Sequence, residues 1–192
     1  MTAGPPRSRP TPAELDAARD ATIPDVLADG LRVVFAGINP GLYSAATGHH
    51  FARPGNRFWP ALHRSGFTPR QFRPDEQDQL LALGLGITNV APRATARAAE
   101  LSPAELREGA LVLQDKMARF RPQWLAVLGV TVYRTAFGHP GAIVGPQAAS
   151  LGPTRVWVLP NPSGLNRRFS LDQLVEAYAA LGDAVTDGVT TC

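Results

Sequence analysis

Four short apolar runs, 31–36 (LRVVFA), 86–90 (GITNV), 124–128 (WLAVL) and 155–159 (RVWVL), alternate with segments that carry helix-start signals. This alternation constrains the fold more than any other feature of the chain. Runs so short and so continuously apolar read as strands buried on both faces, and such strands belong to parallel sheets covered by helices. The intervening helices announce themselves by their caps. Thr11-Pro12-Ala13-Glu14 and Ser102-Pro103-Ala104-Glu105 are capping boxes with proline at the first helical position, and Ser170 with Gln173 forms a third. The helix after Ser102 carries Leu106, Ala110, Leu113, Met117 and Phe120 on one stripe, and the helix after Ser170 carries Leu171, Leu174, Val175 and Tyr178. Helices are also expected near 56–65 and 75–83, whereas 42–55 (LYSAATGHHFARPG) has no clear period and reads as a loop. The expected fold is an α/β three-layer sandwich: a short, mostly parallel central sheet with helices on both faces. One domain is expected over 21–185, with tails at 1–20, holding the start of a short helix, and at 186–192.

Length and composition narrow the function classes. A chain of 192 residues with 44% hydrophobic and 18% charged residues suits one globular domain. No apolar run approaches the roughly 18 residues of a membrane span, and the N-terminal MTAGPPRSRPTP lacks the apolar stretch of a secretion signal. The single cysteine, Cys192, excludes a disulfide within the chain and a cysteine-ligated metal or iron–sulfur site. A cytoplasmic monomer with no metal, no cofactor and no membrane partner is expected. The net charge of +3 rests almost wholly on arginine, Lys116 being the only lysine. Arginine suits phosphate and base contacts, but a GC-rich genome produces the same bias, so the charge permits DNA binding without establishing it.

Two strand ends match. The first strand runs into Asn39-Pro40-Gly41-Leu42 and the last into Asn161-Pro162-Ser163-Gly164-Leu165. Asn-Pro-Gly is an ordinary turn signal. Ligands of open parallel sheets, however, bind outside the carboxyl ends of the strands, so the two turns are placed to face one crevice. An asparagine amide offers a donor and an acceptor together, which suits reading the edge of a nucleobase.

The segments GINPGL (37–42), TGHHFARPGNRFW (47–59) and LPNPSGL (159–165), in that order, resemble the mismatch-specific uracil/thymine-DNA glycosylases, a branch of the uracil-DNA glycosylase superfamily. The likeness runs from about Asp25 to Leu181. It implies an α/β sandwich without a cofactor that hydrolyses the bond between base and sugar in double-stranded DNA carrying a mispaired uracil, leaving an abasic site for base-excision repair. By resemblance, Asn39 is the catalytic residue and positions the attacking water. The backbone near Ile38 holds the uracil, Phe51 stacks on the flipped ring, Asn161 stands on the far wall, and Gly41 and Tyr43 complete the pocket. The Tyr43 ring is expected to limit the room for a 5-methyl group. Gly164, Leu165 and Arg167 form the wedge that fills the gap left by the flipped base, with Ser44 and Ser163 beside the DNA. Two departures stand out: Pro92 occupies a position where relatives carry an acidic residue, which leaves the function of 86–93 open, and Asn166 stands where relatives often have serine.

The residue types agree with that chemistry. A base inside a duplex must be extruded, at a cost of a few kcal/mol that is smaller for a mispaired base. Leu165 is an apolar side chain suited to replace lost stacking, and Phe51 offers a π-face worth roughly 1–3 kcal/mol per stacked base. Asn39 cannot take a proton, so positioning and electrostatic stabilisation must supply most of the rate. A slow enzyme that tolerates other activated bases follows. No lysine lies near either turn, which argues against Schiff-base lyase chemistry.

Other readings share the crevice. A DNA-binding or nucleotide-binding module on the same fold would lack catalysis, and a small-molecule hydrolase would use the same crevice; His49 and His50 offer a general base for it but read rather as loop residues near phosphate. Ser163 lacks the glycine–x–serine–x–glycine elbow of serine hydrolases. Ser44 and Thr47 either bond DNA phosphates or satisfy their own loop. Arg53 and Arg57 read as helix-end or surface residues, and Trp59, Trp124 and Trp157 as core.

Overall fold

The computed structural model describes residues 9–166 and 168–187. The expected wedge residue Arg167, the first eight residues of the expected N-terminal tail and 188–192 of the C-terminal one lie outside the described residues.

Among the described residues the sheet has five strands: β1 (Val33–Gly37), β2 (Leu85–Asn89), β3 (Trp124–Leu128), β4 (Gly145–Leu151) and β5 (Thr154–Leu159). Their spatial order is β2-β1-β3-β5-β4; the first four of that order are mutually parallel, and β4 pairs antiparallel on the edge. The helices are α1 (Pro12–Ala17), α2 (Leu42–Thr47), α3 (Phe58–Arg64), α4 (Pro103–Phe120), α5 (Val130–Phe137) and α6 (Leu171–Asp187), with 3-10 segments at Pro74–Leu83 and Ala98–Glu100. The capping boxes at Thr11 and Ser102 form as read, and Ser170 and Gln173 exchange hydrogen bonds of 2.8 and 3.2 Å at the start of α6.

Successive strand residues face opposite ways, and the two cores follow that alternation. On one face Val33, Phe35, Ile87, Leu128 and Leu159 pack against Phe58 and Leu62 of α3 and Leu174, Tyr178 and Leu181 of α6. On the other, Val34, Ala36, Val127 and Val158 pack against Leu106, Leu113 and Met117 of α4 and Val132 and Tyr133 of α5. The three-layer α/β sandwich is therefore the observed architecture. All three tryptophans are buried. Phe120 is only half-buried, beneath the Arg119 guanidinium.

Phe35 sits at the centre of the first core, with the rings of Phe58, Phe67 and Tyr178 at 5.6, 5.4 and 6.0 Å. Phe35→Ala removes a wholly buried ring and should lower the unfolding free energy by about 3–5 kcal/mol. Urea denaturation checks this, and a loss below about 1 kcal/mol would contradict the packing.

Several elements depart from the sequence expectation. Residues 42–47 form a helix rather than loop, the segment after Arg73 is 3-10 rather than α-helical, and α5 and β4 were not foreseen. Helix α5 opens with Val130, Thr131 and Val132, all poor helix formers, and is held by packing against α4 and the sheet. Strand β4 alternates half-buried and exposed residues and contains Pro146, a pattern tolerated only at an edge.

The register aligns the carboxyl ends. Gly37 lies opposite Asn89, and Leu128 opposite Leu159. The turns that follow these strands therefore gather at one edge of the sheet. The chain leaves β1 toward β2 on one side and later lays down β3 on the other, which makes the β1–β3 boundary a topological switch point.

Candidate active site

The turn after β1 is pinned by the segment after β2. Val90 and Ala91 donate their amides to the carbonyls of Gly37 and Ile38, both at 2.8 Å, and Thr95 donates to Pro40 O at 3.2 Å. The Asn39 side chain completes the attachment. Its Nδ2 donates to Arg93 O at 2.9 Å and to Thr95 Oγ1 at 2.7 Å, and Thr95 Oγ1 passes its own proton to Arg97 O at 2.9 Å. A carbonyl only accepts, so the amide orientation is fixed. Both Nδ2 protons are spent, and Oδ1 is left as the free acceptor. The segment whose function stayed open in the sequence thus holds Asn39 in place. Arg93 keeps that segment ordered through Glu105 at 2.6 Å and Asp20 at 2.9 Å. The Arg93 guanidinium, followed by bonds from Ser102, holds the Glu105 carboxyl down at about 2.

On the opposite wall, Asn161 Oδ1 accepts the Ser163 amide at 2.9 Å in an Asx turn. Among the described residues its Nδ2 has no hydrogen-bond partner and is left as a donor. Asn39 and Asn161 line one cavity of about 150 Å³, together with Ile38, Gly41, Ser44, Phe51, Ser163 and Leu165. The volume fits one small ring; sites for drug-sized ligands run to roughly 300–1,000 Å³. The two asparagine turns therefore do meet across a single cleft.

Phe51 has φ 53°, in the left-handed region, a strained conformation of the kind that clusters at functional sites. Its ring stacks on Phe58 at 4.1 Å, and a Cβ placed on Gly37 would lie 3.2 Å from it. Glycine at 37 thus lets the ring approach the strand end. Leu165 stands at the mouth, 65% exposed. Gly164 does not line the cavity; it abuts the Gly55 carbonyl, where a Cβ would come within 2.4 Å.

Tyr43 does not line the cavity either. It lies on α2 beside Ser44, and one step along a helix turns the side chain by about 100°, so the wall belongs to Ser44. The Ser44 hydroxyl accepts the Ala52 amide at 3.2 Å, and Thr47 bonds the Tyr43 carbonyl at 2.9 Å, so both satisfy their own loop. Arg53 lines the cavity. Arg57 stands at the start of α3, a helix end as read, and is half-buried, with its guanidinium bonded to the carbonyls of Ser163, Asn166 and Phe169.

His50 and Asn89, which the sequence does not mark as pocket residues, also line the cavity. His50 is buried, and its Nε2 lies 3.0 Å from Pro24 O, which assigns the proton to Nε2. Burial pushes the imidazole below its ordinary pKa, opposed by the Pro24 carbonyl and Asp25. The neutral ring then offers Nδ1 as an acceptor to Asn89 Nδ2 at 3.4 Å, which leaves Asn89 Oδ1 as an acceptor against Gly37, 2.6 Å from where a Cβ would stand. The available signal was Thr88-Asn89, two polar residues closing an apolar strand. With both nitrogens engaged, His50 is not a free general base. Among the described residues no carboxylate lines the cavity, and no helix is long and apolar enough to cross a membrane.

Against known proteins, residues 24–182 match the family model described as the uracil DNA glycosylase superfamily. The fold is also similar to the solution NMR structure of a candidate uracil DNA glycosylase from Methanosarcina acetivorans. The TM-score is 0.59 at 19% identity, over 87% of this chain and 98% of that one.

Proposed function

This chain belongs to the uracil DNA glycosylase superfamily, and from that premise we propose that it is a monofunctional DNA N-glycosylase that flips uracil from G·U-type mismatches and hydrolyses its N-glycosidic bond. The observation that carries this reading is the meeting of Asn39 and Asn161 across a cavity sized for one ring, with Phe51 beside it and Leu165 at its mouth.

The free polar groups complement uracil. Asn89 Oδ1 is an acceptor for the ring N3–H, and Asn161 Nδ2 is a donor for a ring carbonyl. Cytosine presents an unprotonated N3 there, so an acceptor facing it loses a bond and leaves a polar pair unmatched. Asn39 Oδ1 holds the attacking water on the sugar face. In the reaction the water oxygen bonds C1′ while the N1–C1′ pair departs with the base as an anion. The water proton passes to solvent or to the departing base, since no carboxylate receives it. The rate rests on positioning and on dipoles aimed at the developing charge. Bases that leave as more stable anions should be removed faster: excision of 5-fluorouracil should exceed that of uracil, and thymine should be slowest. Single-turnover rates on duplexes that differ only in the base mispaired with guanine measure this, and a rate indifferent to the leaving group would contradict it.

A mispaired base costs less to extrude than a paired one, and an exposed leucine on a loop tip suits the vacated stack. These two points support a mismatch preference and a double-stranded substrate. The wedge assigned to Leu165 extends to Gly164 and, by resemblance, to Arg167. The test is a duplex oligonucleotide with one G·U pair, incubated with the protein and then treated with alkali. Strand scission at the uracil is expected. Tight binding without scission would support a non-catalytic DNA-binding module instead.

A further inference from the structure

The loop that carries Leu165 belongs to no helix or strand, yet one side chain gathers both of its flanks. Arg57 Nη2 donates to Ser163 O at 3.0 Å and to Asn166 O at 2.6 Å, and Nη1 donates to Phe169 O. The backbone amide of Arg57 donates to Pro162 O at 3.0 Å. These acceptors stand on either side of Leu165 in the chain. The segment is braced again where Gly164 meets the Gly55 carbonyl, two residues before Arg57, at a separation that excludes any side chain. No carboxylate pairs with Arg57 among the described residues. Among those residues its two Nη groups bond only backbone carbonyls of this loop, so the guanidinium is committed to it.

We propose that Arg57 is the positioning residue of the Leu165 finger, its guanidinium holding the flanking carbonyls so that the leucine is preset at the mouth of the cavity. The inference rests on the glycosylase reading. A finger on an unconstrained loop must be ordered at each flipping event, and pre-organisation removes that cost. The planar fork of arginine reaches several carbonyls in fixed directions, which the compact ammonium of lysine does not reproduce. Arg57 touches neither base nor water in this scheme and acts through the loop.

The test couples Arg57 to Leu165. Single-turnover excision from a G·U duplex is measured for the wild type, Arg57→Met, Arg57→Lys, Leu165→Ala and the double variants. Arg57→Met and Leu165→Ala should each slow excision by about tenfold or more, and the double variant should be no more than about twofold slower than the worse single one, because residues that act as a unit are not additive. Arg57→Lys should recover part of the loss. An unchanged rate in Arg57→Met, or losses that multiply in the double variant, would overturn the proposal. If Arg57→Met does not fold, the Arg57→Lys cycle decides by the same criterion. Hydrogen exchange of the 163–166 amides provides a readout independent of catalysis: it should quicken about tenfold or more in Arg57→Lys, and unchanged protection would overturn the clamp. A wild type inert on G·U with this protection effect intact would sink the glycosylase reading and leave the clamp standing.

Discussion

Asn39→Ala should abolish measurable uracil excision, a loss of about 10²- to 10³-fold or more, while affinity for a G·U duplex stays within about threefold. The separation follows from where the side chain spends its bonds. Nδ2 is consumed by Arg93 O and Thr95 Oγ1, and this leaves Oδ1 as the acceptor to which the proposed reaction assigns the water. Alanine deletes both the acceptor and its anchor and leaves Leu165 at the cavity mouth and the loop that carries it untouched. Asn39→Asp should fail as well, even though a carboxylate is the stronger base. It would turn an acceptor toward the Arg93 carbonyl where a donor now stands, and the Thr95 hydroxyl proton is already given to Arg97 O. Single-turnover excision with a parallel binding titration measures both effects. Turnover by Asn39→Ala within about threefold of wild type would remove the residue from the mechanism.

Phe51→Ala should slow excision of uracil by roughly 5- to 150-fold, the rate equivalent of the roughly 1–3 kcal/mol that one aromatic–base stack contributes. The ring packs against the core on one side and lines the cavity on the other. It is carried on a backbone with φ 53°, backed by Phe58 at 4.1 Å and admitted to the strand end by the missing side chain of Gly37. Phe51→Tyr, which keeps the ring, should retain most of the rate. Equal losses for alanine and tyrosine would point to a packing role in place of stacking.

Much of the layered fold was legible because burial on both faces leaves a local mark. The runs at 124–128 and 155–159 became β3 and β5 almost residue for residue, and the caps at Thr11, Ser102 and Ser170 set three helix starts. What stayed illegible depends on partners far along the chain. Strand β4 has an edge pattern with no apolar run, and α5 is helical through its packing against the propensity of its first residues.

The site divides in the same way. Asn39 and Asn161 stood out because each closes a strand in the same Asn-Pro turn. The brace of Asn39 on Arg93 and Thr95 joins residues more than fifty apart, and the grip of Arg57 on the finger loop joins residues more than a hundred apart. No periodicity encodes either. Tyr43 shows the reverse: a residue near the motif in sequence is carried off the cavity wall once 42–47 winds into a helix.

The account turns on whether the hollow between the two asparagine turns receives a base drawn out of DNA. A crystal structure of the protein on a duplex with 2′-fluoro-2′-deoxyuridine opposite guanine, which resists hydrolysis, answers that directly. The account predicts the uracil ring seated between Asn39, Asn89 and Asn161 with its face on Phe51, and Leu165 in the vacated stack. A uracil still paired in the helix, or lodged elsewhere on the protein, would contradict it.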